Sequence, residues 1–373
     1  MKHVKRNILL NPGPATTTDS VKWAQVVPDI CPREADFGNV MKFISNELTA
    51  IVANQNQYST ILFGGSGTAA VESILSSVID TNDTVLIIDN GAYGKRMCEI
   101  AKVYGLNTVI YHSPLDDGID LGALETVIRE CDKKITHLAV VHHETTTGLL
   151  NDIEAIGSIC KKYDLEMIVD AMSSFAAIPI DMTKMNIHYL AASSNKNIQG
   201  MAGVSFVIAN THSLELSKDL HQKNYYLHLY SQYDYFSKTS QLRFTPPVQT
   251  LYALKQAIIE LKQEGMKERY NRYSESWNTL IKGISKLGLR FMIPKKHHSK
   301  LITAIYEPEC SKFDFNDMHD YFYRRNFTIY PGKLNQFDTF RIANIGEITC
   351  KDINVFLSLL ESYLQSIGYV AKK

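Results

Sequence analysis

Up to about residue 210, short apolar runs alternate along the chain with segments of helical periodicity. The apolar runs predict buried parallel strands at Ser59–Phe63, Thr84–Asp89, Asn107–Tyr111, His137–His142, Glu166–Asp170 and Val204–Ala209. Helical patterns lie between them, at Thr68–Ile79, Gly94–Val103, Leu121–Glu130 and Ile153–Tyr163. This alternation is typical of an α/β fold with a mostly parallel central sheet, which binds ligands at the carboxyl ends of its strands.

The pattern changes after Pro246 and Pro247. A long helical segment is predicted from about residue 249 to 287, with a break at Gly265. Short strands and helices follow, at Leu301–Tyr306, Phe315–Arg324, Thr328–Tyr330, Phe340–Ile342 and Lys351–Ile367. We therefore predict a large domain over residues 15–255 and a smaller α+β domain over residues 256–373. Residues 1–14 are expected to pack at the ligand site or on the small domain.

Composition narrows the range of functions. The chain has 373 residues, of which 45% are hydrophobic, enough for two cores, and its formal net charge is zero. The sequence has no cluster of excess basic residues of the kind that binds nucleic acid or an anionic membrane. It also has no run of about 20 apolar residues that could span a bilayer. The six cysteines show no Cys-x-x-Cys spacing, so we expect no metal site and a reducing environment. The sequence predicts a soluble cytoplasmic protein that acts on small molecules.

Three segments carry candidate chemistry. Phe63–Thr68 is a glycine-rich loop before a helix, which suits a phosphate but also an ordinary turn. Asp170 ends an apolar strand, where it could pair with a protonated heterocycle nitrogen or cap a turn. Lys196 stands among small polar residues before Gly200 and could form an imine, although most lysines are solvated surface residues.

Together these segments resemble the class V aminotransferases of the fold-type I pyridoxal-phosphate family. The resemblance covers nearly the whole chain. It is carried by Leu9–Pro14, Phe63–Thr68, Asp89–Met97, His143–Gly148, Val169–Phe175, Asn195–Gly200, Phe244–Thr245, Ile329–Lys333 and Phe340–Glu347. It implies pyridoxal 5'-phosphate as the cofactor and a homodimer with active sites at the subunit interface.

The resemblance also implies a role for individual residues. Lys196 would hold the cofactor as a Schiff base and move the substrate proton, Asp170 would bind the pyridinium nitrogen, and Tyr93 would stack on the ring. Either Thr145 or Thr147 would contact the ring hydroxyl. The cofactor phosphate would be held by Ser66, Gly67, Thr68 and Asn195, and by Thr245 from the neighbouring subunit. The substrate would be bound by Arg341, Gly13 and Arg33, with Arg96 and Arg243 as possible helpers.

Arg341 is the implied anchor for the substrate carboxylate. A planar guanidinium pairs two carboxylate oxygens at once, although an arginine on a strand could also form a surface ion pair.

Within the class, the resemblance is strongest to enzymes that exchange the amino group of 2-aminoethylphosphonate with pyruvate. They form phosphonoacetaldehyde and L-alanine, or run in the biosynthetic direction. Alanine or serine transamination with glyoxylate or pyruvate is the alternative within the class. A cysteine desulfurase is disfavoured because Cys310 and Cys350 lack a mobile glycine-rich loop. A non-catalytic scaffold is disfavoured because Lys196, Asp170 and Arg341 are all present.

Overall fold

The computed structural model describes residues 3–332 and 337–371. Lys333, the last residue of the segment Ile329–Lys333 that carries part of the family resemblance, lies outside the described residues. Residues 1–2 and 372–373, which fall in the predicted domain ranges, lie outside them too. The α-helices are α1 (Asp19–Trp23), α2 (Ala35–Val52), α3 (Gly67–Val78), α4 (Ala92–Val103), α5 (Leu121–Glu130), α6 (Ile153–Lys162), α7 (Thr211–Leu216), α8 (Leu229–Thr239), α9 (Val248–Glu264), α10 (Met266–Lys286), α11 (Phe315–Tyr323) and α12 (Cys350–Ser366). Short 3-10 helices cover Ser217–Asp219 and Lys295–His297.

Four sheets are formed within the described residues. The strands are β1 (Ile8–Leu9), β2 (Tyr58–Gly64), β3 (Thr84–Asp89), β4 (Asn107–His112), β5 (His137–Val141), β6 (His143–Glu144), β7 (Leu149–Leu150), β8 (Glu166–Asp170), β9 (Ile187–Ser193), β10 (Val204–Asn210), β11 (Ile302–Tyr306), β12 (Phe327–Thr328), β13 (Tyr330–Pro331) and β14 (Thr339–Ala343). The largest sheet has seven strands in the order β2-β10-β9-β8-β5-β3-β4. The expected α/β fold with a mostly parallel sheet is confirmed.

One strand of this sheet corrects the sequence prediction. The run Val204–Ala209 was expected to be parallel, but β10 is antiparallel to both of its neighbours, β2 and β9. The pattern did not predict β9 at all, although this strand ends at Ser193, just before Lys196. As a result, the carboxyl ends of β2, β5, β8 and β9 and the amino end of β10 meet at one edge of the sheet.

Helices cover both faces of the large sheet because its strands are apolar on both sides. Alternate residues of each strand belong to different cores: Leu138 and Met167 face one cluster, and Ala139 and Ile168 face the other. Burial of the strands in both directions explains why they appear in the sequence as continuous apolar runs. A rigid scaffold of this kind holds the loops at its edge in fixed positions.

The long helical segment breaks at Gly265, as the sequence predicts, because this residue has a φ of 84° that favours glycine. The helix before the break, α9, packs with the large-sheet core through Leu254, Ile258 and Leu261. The helix after it, α10, packs through Leu280 and Ile284 in a separate core that it shares with α11, α12 and β14. We therefore propose that the domain boundary lies at Gly265 rather than after residue 255.

The N-terminal segment contacts both parts of the chain. Strand β1 pairs in parallel with β12, and Leu10 packs in the core formed by α10, α11 and α12. A few residues later, the carbonyl oxygen of Pro12 accepts a hydrogen bond from Lys196.

Among the described helices, none is long and apolar enough to cross a membrane.

Candidate active site

A cavity of about 380 Å³ opens at the sheet edge where the strand ends meet. It is lined by Gly65, Ser66, Gly67, Tyr93, Val141, His143, Asp170, Met172, Ser173, Ser193, Asn195, Lys196, Ala202 and Gly203. Residues from the three predicted segments therefore border one space, although they are far apart in the sequence. The location agrees with the rule that open α/β sheets bind ligands beyond the carboxyl ends of their strands.

Lys196 enters the cavity from the loop after β9. Its Nζ atom donates a hydrogen bond of 2.6 Å to the carbonyl oxygen of Pro12. A Cβ atom added to Gly13 would lie only 2.6–2.7 Å from the Cδ, Cε and Nζ atoms of Lys196. Gly13, which was predicted to bind substrate, thus lies against the lysine, and the missing side chain makes room for it.

Asp170 lies at the bottom of the cavity, at the last position of β8. The backbone N–H of Met172 donates to its Oδ1 atom over 2.9 Å, which fixes the carboxyl group. Burial raises the pKa of Asp170, and the positive charges of Lys196 and Arg96 act in the opposite direction. A buried carboxylate of this kind would be stabilised by a cation placed against it.

The glycine-rich loop leads from β2 into α3, with Ser66 as the N-cap residue. Its side chain makes no capping hydrogen bond, and Gly65, Ser66 and Gly67 all line the cavity. The first turn of a helix carries unpaired N–H groups and the positive end of the helix dipole. This end of the cavity therefore suits an anion such as phosphate.

Tyr93 lines the cavity, and two arginines lie beside this tyrosine. The guanidinium carbon of Arg96 lies 4.8 Å from the centre of the Tyr93 ring, and its Nη1 atom lies 3.4 Å from the hydroxyl of Thr68. Arg341 is 5% exposed and interacts electrostatically with the Tyr93 side chain. It also donates to the carbonyl oxygens of Pro331, over 3.0 Å, and Thr145, over 3.3 Å. The predicted substrate anchor is therefore connected to the predicted stacking residue.

The structure distinguishes the two candidate threonines of the His143–Gly148 segment. The hydroxyl of Thr147 is used within its own turn, where it accepts a hydrogen bond from the N–H of Leu149 over 3.3 Å. The hydroxyl of Thr145 is buried and has no hydrogen-bond partner among the described residues. This difference favours Thr145 as the residue with a hydroxyl available for a ligand.

Two predicted residues lie away from the cavity of their own chain. Arg33 donates through Nη1 to the carbonyl oxygen of Leu242 over 2.6 Å, and through Nη2 to that of Arg243 over 3.2 Å. Thr245 is exposed and borders a different, small pocket beside Tyr226 and Phe244. Arg33 thus holds the segment that leads to Thr245, and neither residue reaches Lys196 within one subunit.

Sequence reasoning missed several residues around the cavity. His143 and Glu144 form β6, which begins two positions after the end of β5, and Met172 follows Asp170 by two positions, so their place after strand ends was an available signal. Ala202 and Gly203 line the cavity because β10 is antiparallel and begins there. The direction of β10 was not visible in its composition, so these two residues had no signal.

Buried histidines near the cavity make the fold sensitive to acid. Burial lowers the pKa of His142 to about 3, of His143 to about 4 and of His298 to about 3. Unfolded histidine titrates near 6.5, so below that pH the unfolded chain binds more protons and stability falls with pH. At pH 5 the loss is about 2 kcal/mol for each histidine. Burial raises the pKa of Glu144 to about 7, so its protonation favours the folded state as pH falls. This gain offsets the loss of stability from about one histidine.

We therefore expect the urea midpoint of unfolding to be lower at pH 5 than at pH 7. In a His142→Gln variant the difference between the two midpoints should shrink. An equal or higher midpoint at pH 5 would contradict the assignment of these histidines as neutral in the folded state.

Comparison with known proteins identifies the family. The family model for class-V aminotransferases matches residues 31–321. A 2-aminoethylphosphonate–pyruvate transaminase of Klebsiella pneumoniae is 40% identical over 358 residues, which cover 95% of this chain and 97% of that protein. The enzyme of the same name from Salmonella paratyphi C is 39% identical over the same shares of both chains. The chain belongs to the class-V aminotransferases.

Solved structures agree with this class-V aminotransferase fold. The alanine–glyoxylate aminotransferase of Nostoc sp. superimposes with a TM-score of 0.90 over 97% of this chain and 96% of its own, at 23% identity. The likeness is one of fold. The family expected from the sequence is confirmed by the family model and by these relatives.

Proposed function

We propose that this class-V aminotransferase uses pyridoxal 5'-phosphate to transfer the amino group of 2-aminoethylphosphonate to pyruvate. The products are phosphonoacetaldehyde and L-alanine, and the same site serves the reverse direction. The proposal is supported by the relatives that carry this name and align over nearly their whole length. The observation that carries it is the single cavity bordered by Lys196, Asp170 and the glycine-rich loop.

The residues present fit pyridoxal phosphate. The phosphate matches the N-terminus of α3 with Ser66 and Gly67, and the ring nitrogen matches the buried carboxyl group of Asp170. The buried Thr145 hydroxyl and the His143 Nε2 atom have no partner in the described residues, so a polar ligand would satisfy them. When bound, the cofactor supplies an aldehyde for the amino group and an electron sink for the adjacent carbon.

Lys196 is the residue that moves protons in this account. Its Nζ atom would act as the base that takes the proton from the substrate carbon bearing the amino group, and as the acid that later gives a proton back. Pro12 holds Nζ through its carbonyl oxygen, and Gly13 leaves room for the side chain to swing. Asp170 would hold the protonated ring nitrogen through its buried negative charge, and Tyr93 would stack on the ring.

Arg341 holds the acidic end of each substrate, the phosphonate in one half of the cycle and the carboxylate in the other. Its Nε and Nη1 atoms are fixed by two backbone carbonyl oxygens, so its orientation is set before substrate binds. Arg96, beside Tyr93, adds positive charge to the same side of the cavity.

An Arg341→Lys variant should raise the KM for pyruvate more than it lowers kcat. Lysine keeps the charge but loses the planar pair of donors, and a hydrogen bond to a charged group contributes about 1.5–3 kcal/mol, or about 10- to 100-fold in KM. Arg290→Lys serves as the control, because the Arg290 side chain is exposed and pairs with Glu309. This variant should leave the KM for pyruvate unchanged. A wild-type KM for Arg341→Lys would remove the anchor from the proposal.

The proposal includes a homodimer in which Thr245 of one subunit contacts the cofactor phosphate bound by the other. It is supported by the exposed position of Thr245 beside an aromatic surface, where Tyr225 is 70% and Tyr226 is 42% exposed. Light scattering should give the mass of two chains, and Thr245→Ala should weaken cofactor binding.

A cytoplasmic location is proposed as well, because all six cysteines are free thiols.

The function is tested by product analysis. With 2-aminoethylphosphonate and pyruvate, the purified enzyme should form phosphonoacetaldehyde and alanine in equal amounts. Alanine with glyoxylate should be a poor pair. Rapid alanine–glyoxylate exchange without turnover of 2-aminoethylphosphonate would overturn the proposed substrate.

A further inference from the structure

Glu144 is a fully buried carboxyl group that the proposed chemistry does not use. It ends β6, in the small hairpin that follows β5, and none of its surface is exposed. An unsatisfied acid at such a position would be costly, so its hydrogen-bond partners indicate what it does.

Both oxygens of Glu144 are occupied, and they join two loops of the site. The Oε2 atom accepts the backbone N–H of Tyr93 over 3.0 Å. The Oε1 atom accepts the N–H of Thr146 over 3.2 Å and the hydroxyl of Thr146 over 2.5 Å. Burial raises the pKa of Glu144 to about 7, and these donors act in the opposite direction. The side chain therefore ties the start of α4, which carries the stacking tyrosine, to the turn at residues 144–148.

The same turn also supports the substrate anchor. Arg341 donates to the carbonyl oxygen of Thr145, the residue next to Glu144, and interacts electrostatically with the side chain of Tyr93. The negative charge of Glu144 also stabilises the charged guanidinium of Arg341. One buried carboxylate is thus linked through its neighbours to both Tyr93 and Arg341.

Gly91 provides an independent sign that this carboxylate has a defined place. A Cβ atom added at Gly91 would lie 2.3 Å from both Cγ and Cδ of Glu144 and 2.6 Å from its Oε2 atom. The φ of Gly91 is 162°, an extended conformation that other residues adopt, so the close contact and not the backbone requires glycine here.

We propose that Glu144 is a positioning residue that holds the ring-stacking Tyr93 and the substrate-anchoring Arg341 in register with each other. The inference rests on the proposed function for the roles of these two residues. Glu144 itself touches neither ring nor substrate in this arrangement. Its action is indirect, through the backbone of Tyr93 and the turn that carries Thr145.

The test compares two variants that disturb this link in different ways. Glu144→Gln replaces one acceptor oxygen by an NH₂ group that faces an N–H or O–H donor, at nearly constant shape. Gly91→Ala keeps the charge but pushes the carboxylate away. Glu166→Gln is the matched control. Glu166 is a partly buried carboxylate that pairs with His137 at 3.4 Å, and it lies at the end of β8 away from Asp170 and the cavity.

Two readouts separate positioning from plain loss of stability. The circular dichroism of the bound cofactor's yellow band reports how the ring is held, and the KM for pyruvate reports the anchor. We expect Glu144→Gln and Gly91→Ala to reduce the dichroism and to raise the KM for pyruvate about 10- to 100-fold, since small misplacements in an active site have effects of this size. Glu166→Gln should lower the midpoint of unfolding and leave both readouts unchanged.

The outcomes are distinct. Wild-type dichroism and KM in Glu144→Gln would overturn the inference. Should that variant fail to fold, the same result in Gly91→Ala would overturn it. Wild-type protein that is yellow but does not turn over 2-aminoethylphosphonate would refute the proposed substrate, and the dichroism of the variants would still decide the role of Glu144. A colourless wild-type protein would refute the cofactor and this inference together.

Discussion

A Lys196→Ala variant should lose transamination by about 10⁴-fold or more, because a general acid–base group alone contributes about 10²–10⁴-fold and this lysine also forms the covalent link to the cofactor. The fold should be unaffected. Lys196 is only partly buried and lines the cavity, so removing its side chain takes little from the hydrophobic core. Turnover and the midpoint of thermal unfolding are the two measurements to compare with the wild type.

The covalent link gives this variant a second signature. Borohydride should fix the cofactor to the wild-type chain, and the modified peptide should contain Lys196. In Lys196→Ala the cofactor should wash out after the same treatment. Lys161→Ala, on an exposed lysine of α6, is the control and should behave as the wild type. Modification at a different lysine would show that the cavity has been assigned to the wrong residue.

Asp170→Asn should raise the activation barrier by about 3–5 kcal/mol, which lowers kcat about 10²- to 10⁴-fold, because removing one partner from a buried ion pair has a cost of this size. Asparagine has the same shape and keeps an oxygen to accept the N–H of Met172, which now reaches Oδ1 over 2.9 Å. It cannot carry the negative charge that keeps a ring nitrogen protonated. The cofactor should still be attached to Lys196, so the protein should stay yellow while turnover falls.

This combination separates Asp170 from Lys196, whose loss removes both colour and turnover. Asp152→Asn is a suitable control, because Asp152 caps α6 at the surface through the N–H of Ala155. It should change stability slightly and leave kcat unchanged. A fall in kcat of less than about threefold for Asp170→Asn would exclude the buried ion pair as a source of catalysis.

The sequence predicted those parts of the fold that depend on local pattern. Strands buried on both faces, such as Thr84–Asp89 and Glu166–Asp170, appear as continuous apolar runs with the bounds that the structure has. The break at Gly265 was predictable because only glycine adopts its backbone conformation at little cost. The resemblance to a family then brought together residues that pattern alone left separate.

Features that depend on long-range contacts could not be predicted in this way. An apolar strand has the same composition in either direction, so the antiparallel β10 was expected to be parallel. Arg33 stays a predicted substrate residue, and its donation to the backbone carbonyl oxygens of residues 242 and 243 depends on contacts that only the folded chain brings about. Glu144 was part of a resembling segment, yet its link to Tyr93 depends on the packing of two loops.

The measurement that tests the account most directly is a single half-reaction followed by absorbance. The purified protein should be yellow, and 2-aminoethylphosphonate added without pyruvate should remove the yellow band and release phosphonoacetaldehyde in an amount equal to the enzyme. Pyruvate added next should restore the band and yield alanine. A band that 2-aminoethylphosphonate leaves unchanged, or a protein that stays colourless with added pyridoxal phosphate, would contradict the account.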